Sequence, residues 1–453
     1  MLLDFMNPQN GGIMYKDIYS QLVDAVKSGA LKNGDKLSSI REAAAQLGVS
    51  RTTVENAYMR LCIEGIAESR PQRGYFICRT DFAPAADNSN IKTEEYKYDF
   101  SSQKIDPESA DISLWRKTVR RILNDSEQLV SYGDPQGEYT LRKALSEYSY
   151  KARGVRASAD SIVIGAGVGP LLNILCGILK KGTLVGMENG LFMQALQIFS
   201  DYSIPCAVPE SDRNGAVVKS LAENGVNVLF LQPSALPKVS ASGINRRRAE
   251  FSRWVREEDS RLIIEDDYNG ELRYTARSIS SFQGKEPENT VYIGSFSKLL
   301  LPSVRIAYMV LPPRLLKEYN KRKKYYNQTC GKAEQLALCE YIVTGALEKH
   351  LRRLRKLYNG KSRLLCESLE KNLDCFSSLN LYETSLTVEV KTKLKAKSED
   401  ICKTAEKCGI RLIKSENSGC FRMCFGGIKT DLIPSAVVAL NNCLGNVGVT
   451  GLD

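Results

Sequence analysis

Ser295-Phe296-Ser297-Lys298-Leu299-Leu300-Leu301-Pro302-Ser303-Val304-Arg305 is the stretch from which the rest of the chain can be read. A lysine closes a run of small hydroxyl residues, and an arginine follows seven positions later, beyond a proline. An amine held in an apolar pocket is a good Schiff-base nucleophile toward an aldehyde. Serine hydroxyls and a guanidinium supply the neutral and bidentate hydrogen bonds that a phosphate monoester needs. Together they describe a bound aldehyde that carries a phosphate, and pyridoxal 5'-phosphate fits. On this stretch alone, a surface Ser/Lys turn with an unrelated arginine reads equally well.

Around it, short apolar runs at 161–164, 183–187, 226–231, 261–265 and 290–294 read as buried strands separated by helices such as 249–257. That alternation predicts an α/β sheet with its ligand at the carboxyl ends of the strands. Candidate residues fall at those ends. Gly165-Ala166-Gly167-Val168-Gly169 follows one strand and opens a helix, so the amides near Gly167 and Val168 can cradle a phosphate; close helix–strand packing explains the same glycines. Asp266 and Tyr268 follow another strand. A buried carboxylate can pair with a protonated pyridine nitrogen, and the tyrosine hydroxyl can meet a ring oxygen, although acidic turns are common. Phe192 offers a flat face for ring stacking, or simply core packing.

The first 80 residues have a different grain. Ile18, Leu22, Val23 and Val26 recur at helical spacing over 15–28, a second helix is expected over 39–47 with Ser38 or Ser39 as its cap, and Ser50 caps a third over 51–64. Helix, glycine turn, helix is the helix-turn-helix pattern, and 66–77 reads as a two-stranded wing. Ser50, Arg51, Thr52 and Thr53 crowd the end of the third helix that enters a major groove. Arg41 opens the second helix, and Arg70 and Arg73 flank the wing turn. Double-stranded DNA is the expected partner. Residues 79–98 carry no periodicity and read as a flexible linker.

Composition narrows the classes. At 453 residues the chain exceeds one ordinary core. Its single histidine, His350, lies in the basic run Lys349-His350-Leu351-Arg352-Arg353 and is expected at the surface, so His-based hydrolase and His-rich metal chemistry are nearly excluded. The 13 cysteines are odd in number, lack a CxxC pair and read as reduced thiols, and no secretory or membrane-spanning segment is visible, so a cytoplasmic address is expected. Net charge is +11, yet residues 1–80 hold ten Lys/Arg against eight Asp/Glu whereas 321–363 hold twelve against three. That basic run reads as a solvated helix face or as a surface lying along DNA.

Residues 15–77 resemble the winged helix-turn-helix of the GntR family through Leu31-Lys32-Asn33-Gly34-Asp35-Lys36-Leu37, Ser39-Ile40-Arg41-Glu42, Leu47-Gly48-Val49-Ser50-Arg51-Thr52-Thr53-Val54 and Gly74-Tyr75-Phe76. Tyr132-Gly133-Asp134-Pro135-Gln136-Gly137, Glu265-Asp266-Asp267-Tyr268-Asn269-Gly270, the 295–305 stretch, Leu351-Arg352-Arg353-Leu354-Arg355 and Cys420-Phe421-Arg422-Met423 resemble fold type I aminotransferases. The whole chain is therefore similar to MocR-type regulators. The resemblance implies an α+β winged helix-turn-helix domain (1–78), the linker, and an α/β aminotransferase-like domain (99–453) with a small C-terminal α+β part from about 321. It further implies Lys298 as the Schiff-base lysine, Asp266 on the pyridine nitrogen, Tyr268 on the ring oxygen, and Phe192 stacked on the ring. Ser295, Ser297 and Arg305 are implied at the phosphate, Arg422 on an amino-acid effector's carboxylate, and a homodimer in which Tyr132 reaches the neighbour's phosphate site.

Two turns depart from the family. Gly167-Val168-Gly169-Pro170 lacks side-chain donors for the phosphate, and Gln232-Pro233-Ser234-Ala235-Leu236-Pro237 lacks polar groups expected at the ring edge. The expectation is a regulator that senses the cofactor or an amine effector, with weak or no turnover. An active aminotransferase, or a scaffold that no longer binds the cofactor, remain the alternatives.

Overall fold

The computed structural model describes residues 15–78, 96–101, 104–106, 108–124, 126–187, 192–212, 214–233, 241–274, 280–382 and 384–445. Most of the expected linker and the turn residues Ser234 to Pro237 lie outside them. The chain divides into two compact units, Met1–Glu94 and Glu95–Asp453.

In the first unit, α1 (Tyr15–Lys27), α2 (Ile40–Leu47) and α3 (Arg51–Ile63) precede the antiparallel strands β1 (Ala67–Arg70) and β2 (Gly74–Ile77). Ser39, not Ser38, caps α2, and it does so reciprocally. Its hydroxyl accepts from the Glu42 amide at 3.2 Å, and Glu42 accepts from the Ser39 amide at 3.1 Å. Gly48, in the left-handed region at φ 65°, ends α2 and turns the chain into α3. Ile18, Leu22, Leu37, Val54, Tyr58, Leu61 and Ile77 close one small core.

The second unit is built on a seven-stranded sheet. Its order is Ile162–Gly165, Ala307–Val310, Thr290–Ser295, Leu262–Asp266, Val228–Leu231, Val185–Met187, Cys206–Ala207. Only Ala307–Val310 runs antiparallel to its neighbours. Both faces are buried, which is why the strands read as unbroken apolar runs: Val163, Phe230, Ile264 and Ile293 face one core, and Ile164, Tyr292 and Tyr308 another. Because six strands share a direction, Gly165, Met187, Leu231, Asp266 and Ser295 all end at one edge.

The 27-residue helix Ala346–Asn372 leads into an antiparallel sheet of Phe376–Tyr382, Thr387–Thr392, Cys420–Cys424 and Ile413–Lys414. Val388, Val390, Phe421 and Met423 of this sheet join the core formed with that helix and with Ile433–Leu444.

Two expectations are corrected here. His350 is 2 % exposed, because on the long helix it shares a stripe with Leu347, Leu351 and Leu354. Desolvation and the nearby Arg353 push its pKa down to about 4. Of the basic run, Lys321, Arg322, Lys324, Arg352, Arg353 and Lys356 are exposed, as a solvated helix face would have them, while Lys323 pairs with Asp134 at 2.9 Å, Arg353 with Asp111 at 3.2 Å, Arg355 donates to the Glu271 carbonyl at 2.8 Å, and Lys361 is fully buried against Asp106. Finally, Cys408 and Cys443 form a disulfide, joining the end of the helix Ser398–Lys407 to Ile433–Leu444; eleven cysteines stay free.

Candidate functional site

Asp266 ends, and Tyr268, Lys298 and the Gly167 turn follow, strands that finish at the shared carboxyl edge of the sheet. Lys298, three residues past Thr290–Ser295, is 6 % exposed, and its ammonium lies 5.5 Å from the centre of the Tyr268 ring. Its flanking Phe296, Leu299 and Leu300 are buried core residues, so the backbone around the lysine is fixed by packing on both sides.

Asp266 ends its strand 2 % exposed. Its Oδ2 accepts from the Gln232 amide at 2.5 Å, while its Oδ1 has no hydrogen-bond partner in the structure. Burial pushes this carboxyl up to about 7; the Gln232 hydrogen bond opposes the rise and Asp267 adds to it. An unpaired buried acceptor costs about 1–3 kcal/mol, so the free oxygen calls for a donor. Asp267 plays a different part. It accepts from Arg153 at 2.6 and 3.0 Å and from the Tyr292 hydroxyl at 2.9 Å, locking the strand end to the helix Tyr139–Arg153.

The phosphate candidates gather around Gly167. This residue, at φ 95°, precedes the helix Val168–Ile178, whose start no side chain caps. A Cβ there would lie 2.6 Å from an Arg305 guanidinium nitrogen, so only glycine lets that arginine close over the turn. Arg305 itself adopts a left-handed conformation (φ 50°, ψ 45°), an uncommon state that packing must hold, and its guanidinium reaches Ser297 Oγ at 3.4 Å. Ser295 Oγ lies 3.3 Å from both the Ser297 hydroxyl and the Ser297 amide. Uncapped helix amides, two hydroxyls and a guanidinium make a set of anion donors. Thr329 accepts from the Ala166 amide at 3.0 Å and so steadies the same turn.

Phe192 occupies the position before the helix Met193–Asp201 and packs half-buried, 6.3 Å from Phe230. Tyr132 is fully exposed. Arg422 stands in the small sheet, where its Nε donates to Glu389 at 3.1 Å.

Gln232, Thr329 and Glu389 are site neighbours that sequence reasoning missed. The Gln232 turn was expected to be poor in polar groups, yet Gln232 supplies the amide on Asp266. The signal was topological: Leu231 and Glu265 are register partners in adjacent parallel strands, which sets the next residues side by side.

In the first unit, Arg51 and Thr52 are exposed at the start of α3, and Arg41 is exposed on α2. The Ser50 hydroxyl is committed to capping, accepting from the Thr53 amide at 3.1 Å and lying 2.7 Å from the Thr53 hydroxyl. Arg70 packs over Phe76 at 4.5 Å and donates to Glu68 at 2.7 Å, which leaves Arg73 as the exposed wing arginine with no ion pair among the described residues.

Residues 14–77 match the bacterial regulatory proteins of the gntR family. The chain is 33 % identical over 409 residues to the uncharacterized HTH-type transcriptional regulator YdeL of Bacillus subtilis, covering 88 % of each. It is 25 % identical over 376 residues to the HTH-type pyridoxine biosynthesis transcriptional regulator PdxR of Corynebacterium glutamicum, covering 80 % of each. Among solved structures, Pyrococcus horikoshii kynurenine aminotransferase superposes with a TM-score of 0.67 at 22 % identity, over 78 % of this chain and 92 % of that one, a likeness of fold.

Proposed function

The chain belongs to the MocR-type subfamily of GntR-family transcriptional regulators, and from that premise we propose that its aminotransferase-like unit holds pyridoxal 5'-phosphate at Lys298 and senses an amine or amino-acid effector, with weak or no transaminase turnover. The observation that carries the reading is the free Oδ1 of Asp266, buried at the same sheet edge as Lys298 and the Gly167–Arg305 turn. The residues fit the group: a primary amine for the aldehyde, a buried carboxylate for a protonated ring nitrogen, and amides, hydroxyls and a guanidinium for the phosphate. Bound there, the cofactor would supply a reactive aldehyde on an electron-withdrawing ring.

In this reading Lys298 provides the amine, Asp266 holds the ring proton with Gln232 as its second partner, and Phe192 and Tyr268 orient the ring. Ser295, Ser297, Arg305 and the amides at Gly167 and Val168 hold the phosphate. Arg422 meets the effector. A homodimer places Tyr132 of one copy at the phosphate of the other and presents two winged helices to paired half-sites, with Arg41, Arg51, Thr52 and Arg73 toward operator DNA. Ser50 and Thr53 act through the cap and Arg70 through the wing's packing. Limited turnover is supported by the phosphate turn, which supplies amides in place of hydroxyl side chains.

Two assays test this. Purified full-length protein with added pyridoxal 5'-phosphate should gain a visible absorption band that Lys298→Ala loses; protein that stays colourless refutes cofactor binding. Sustained multiple turnovers of an amino acid with a keto acid would instead establish the enzyme reading.

A further inference from the structure

Arg422 and Glu389 are directly paired across the antiparallel register of Cys420–Cys424 and Thr387–Thr392. Their neighbours Val388, Val390, Phe421 and Met423 enter the core, so by strand alternation both side chains stand on the opposite face of the sheet. Glu389 is 6 % exposed and held from several directions, the Asn380 side chain among them. Oε1 accepts from Arg422 Nε at 3.1 Å and from Ser415 Oγ at 2.7 Å, and Oε2 accepts from the Tyr382 hydroxyl at 3.4 Å. The Tyr382 ring also lies 5.7 Å from the guanidinium carbon. Burial by itself would raise the Glu389 carboxyl, yet the Ser415 hydrogen bond and Arg422 hold it below the ordinary value. It is therefore a persistent anion.

Resting on the effector-sensing reading above, we infer that Glu389 is a specificity-determining residue: it neutralises Arg422 and turns the site against ligands that bring a carboxylate to that guanidinium, in favour of amines without one. A carboxylate arriving at the remaining Arg422 N–H groups has to share one cation with a fixed buried anion. The alternative, displacing Glu389, strips this buried anion of its Arg422 partner. An amine with a neutral group at that position meets neither cost. One with a second cationic group gains Glu389 as a partner. A bare guanidinium, by contrast, would select α-amino acids outright.

The test uses full-length protein loaded with pyridoxal 5'-phosphate and titrated at equilibrium with L-alanine and with ethylamine, the same skeleton lacking the carboxylate, reading the change in visible absorption. Glu389→Gln is expected to shift the affinity ratio toward L-alanine by about tenfold or more while leaving ethylamine unchanged. Arg422→Gln combined with it is expected to erase that shift. Ser415→Ala, which loosens Glu389 without removing it, moves the ratio the same way by less and serves if Glu389→Gln folds poorly. An unchanged ratio in these variants with intact absorption overturns the inference alone. Absence of cofactor absorption in the unaltered protein overturns the cofactor reading and this inference with it.

Discussion

Asp266→Asn separates the electrostatic cost of the site from its role in binding. The folded chain holds the Asp266 carboxyl near 7, against an ordinary value of 3.8. Between those values the folded chain keeps a proton that the unfolded chain has released. The stability this group contributes to the cofactor-free protein is therefore fully present below about pH 4 and is lost as pH rises through 7. At 1.36 kcal/mol per pH unit the full gap is worth roughly 4 kcal/mol. Asparagine carries no charge to desolvate but sets an amide beside Gln232 without a certain acceptor, a cost of about 1–3 kcal/mol at every pH. The variant is accordingly expected to be the less stable protein at pH 4 and to gain several kcal/mol relative to wild type by pH 8. Glu265 and Glu271, each also pushed up to about 7 by burial, bend both curves alike, so the difference between proteins isolates Asp266. Denaturant unfolding followed by tryptophan fluorescence is suited to this, because Trp115 and Trp254 both lie in the second unit and are its only tryptophans. With pyridoxal 5'-phosphate added at pH 8 the order should reverse, since only the carboxylate can pair with a ring proton. A stability difference independent of pH would refute the reasoning.

Three further outcomes are expected. Gly167→Ala should weaken retention of pyridoxal 5'-phosphate by tenfold or more on dilution dialysis, because its Cβ meets the Arg305 guanidinium at 2.6 Å and alanine resists φ 95°; unchanged retention would contradict the phosphate assignment. Arg51→Ala should reduce binding to operator fragments recovered from genomic DNA and lower the salt dependence by about one counterion, with the fold intact, as the side chain is exposed; binding as strong as before would reject α3 as the recognition helix. Lys361→Met should cost about 3–5 kcal/mol by stranding the fully buried Asp106, and thermal unfolding as late as that of the unaltered protein would contradict it.

Local chemistry carried the sequence reading furthest. The caps at Ser39, Gly48 and Ser50 are encoded within a few residues, so α2 and α3 were placed nearly to their ends. The strand ends that present Gly167, Asp266 and Ser295 followed from apolar run length and flanking turns. The strand Ala307–Val310 is absent from the expected strands although Ile306 to Leu311 is an unbroken apolar run; its antiparallel insertion between two parallel-running strands has no local marker. Charge density along the chain hides the helical stripe that His350 shares with Leu347 and Leu354, so the sequence alone points it to the surface. The Gln232–Asp266, Glu389–Arg422 and Cys408–Cys443 pairs are 34, 33 and 35 residues apart, and each depends on strand register or helix packing that spacing alone does not specify. The polar second layer of the site is thus where tertiary structure adds most.

The most direct measurement of the central claim is borohydride reduction of full-length protein incubated with pyridoxal 5'-phosphate, followed by peptide mass mapping. The expected result is a single pyridoxyl mark on the peptide carrying Lys298, absent from Lys298→Ala. No mark, or marks spread over other lysines and unaltered in Lys298→Ala, would contradict the account.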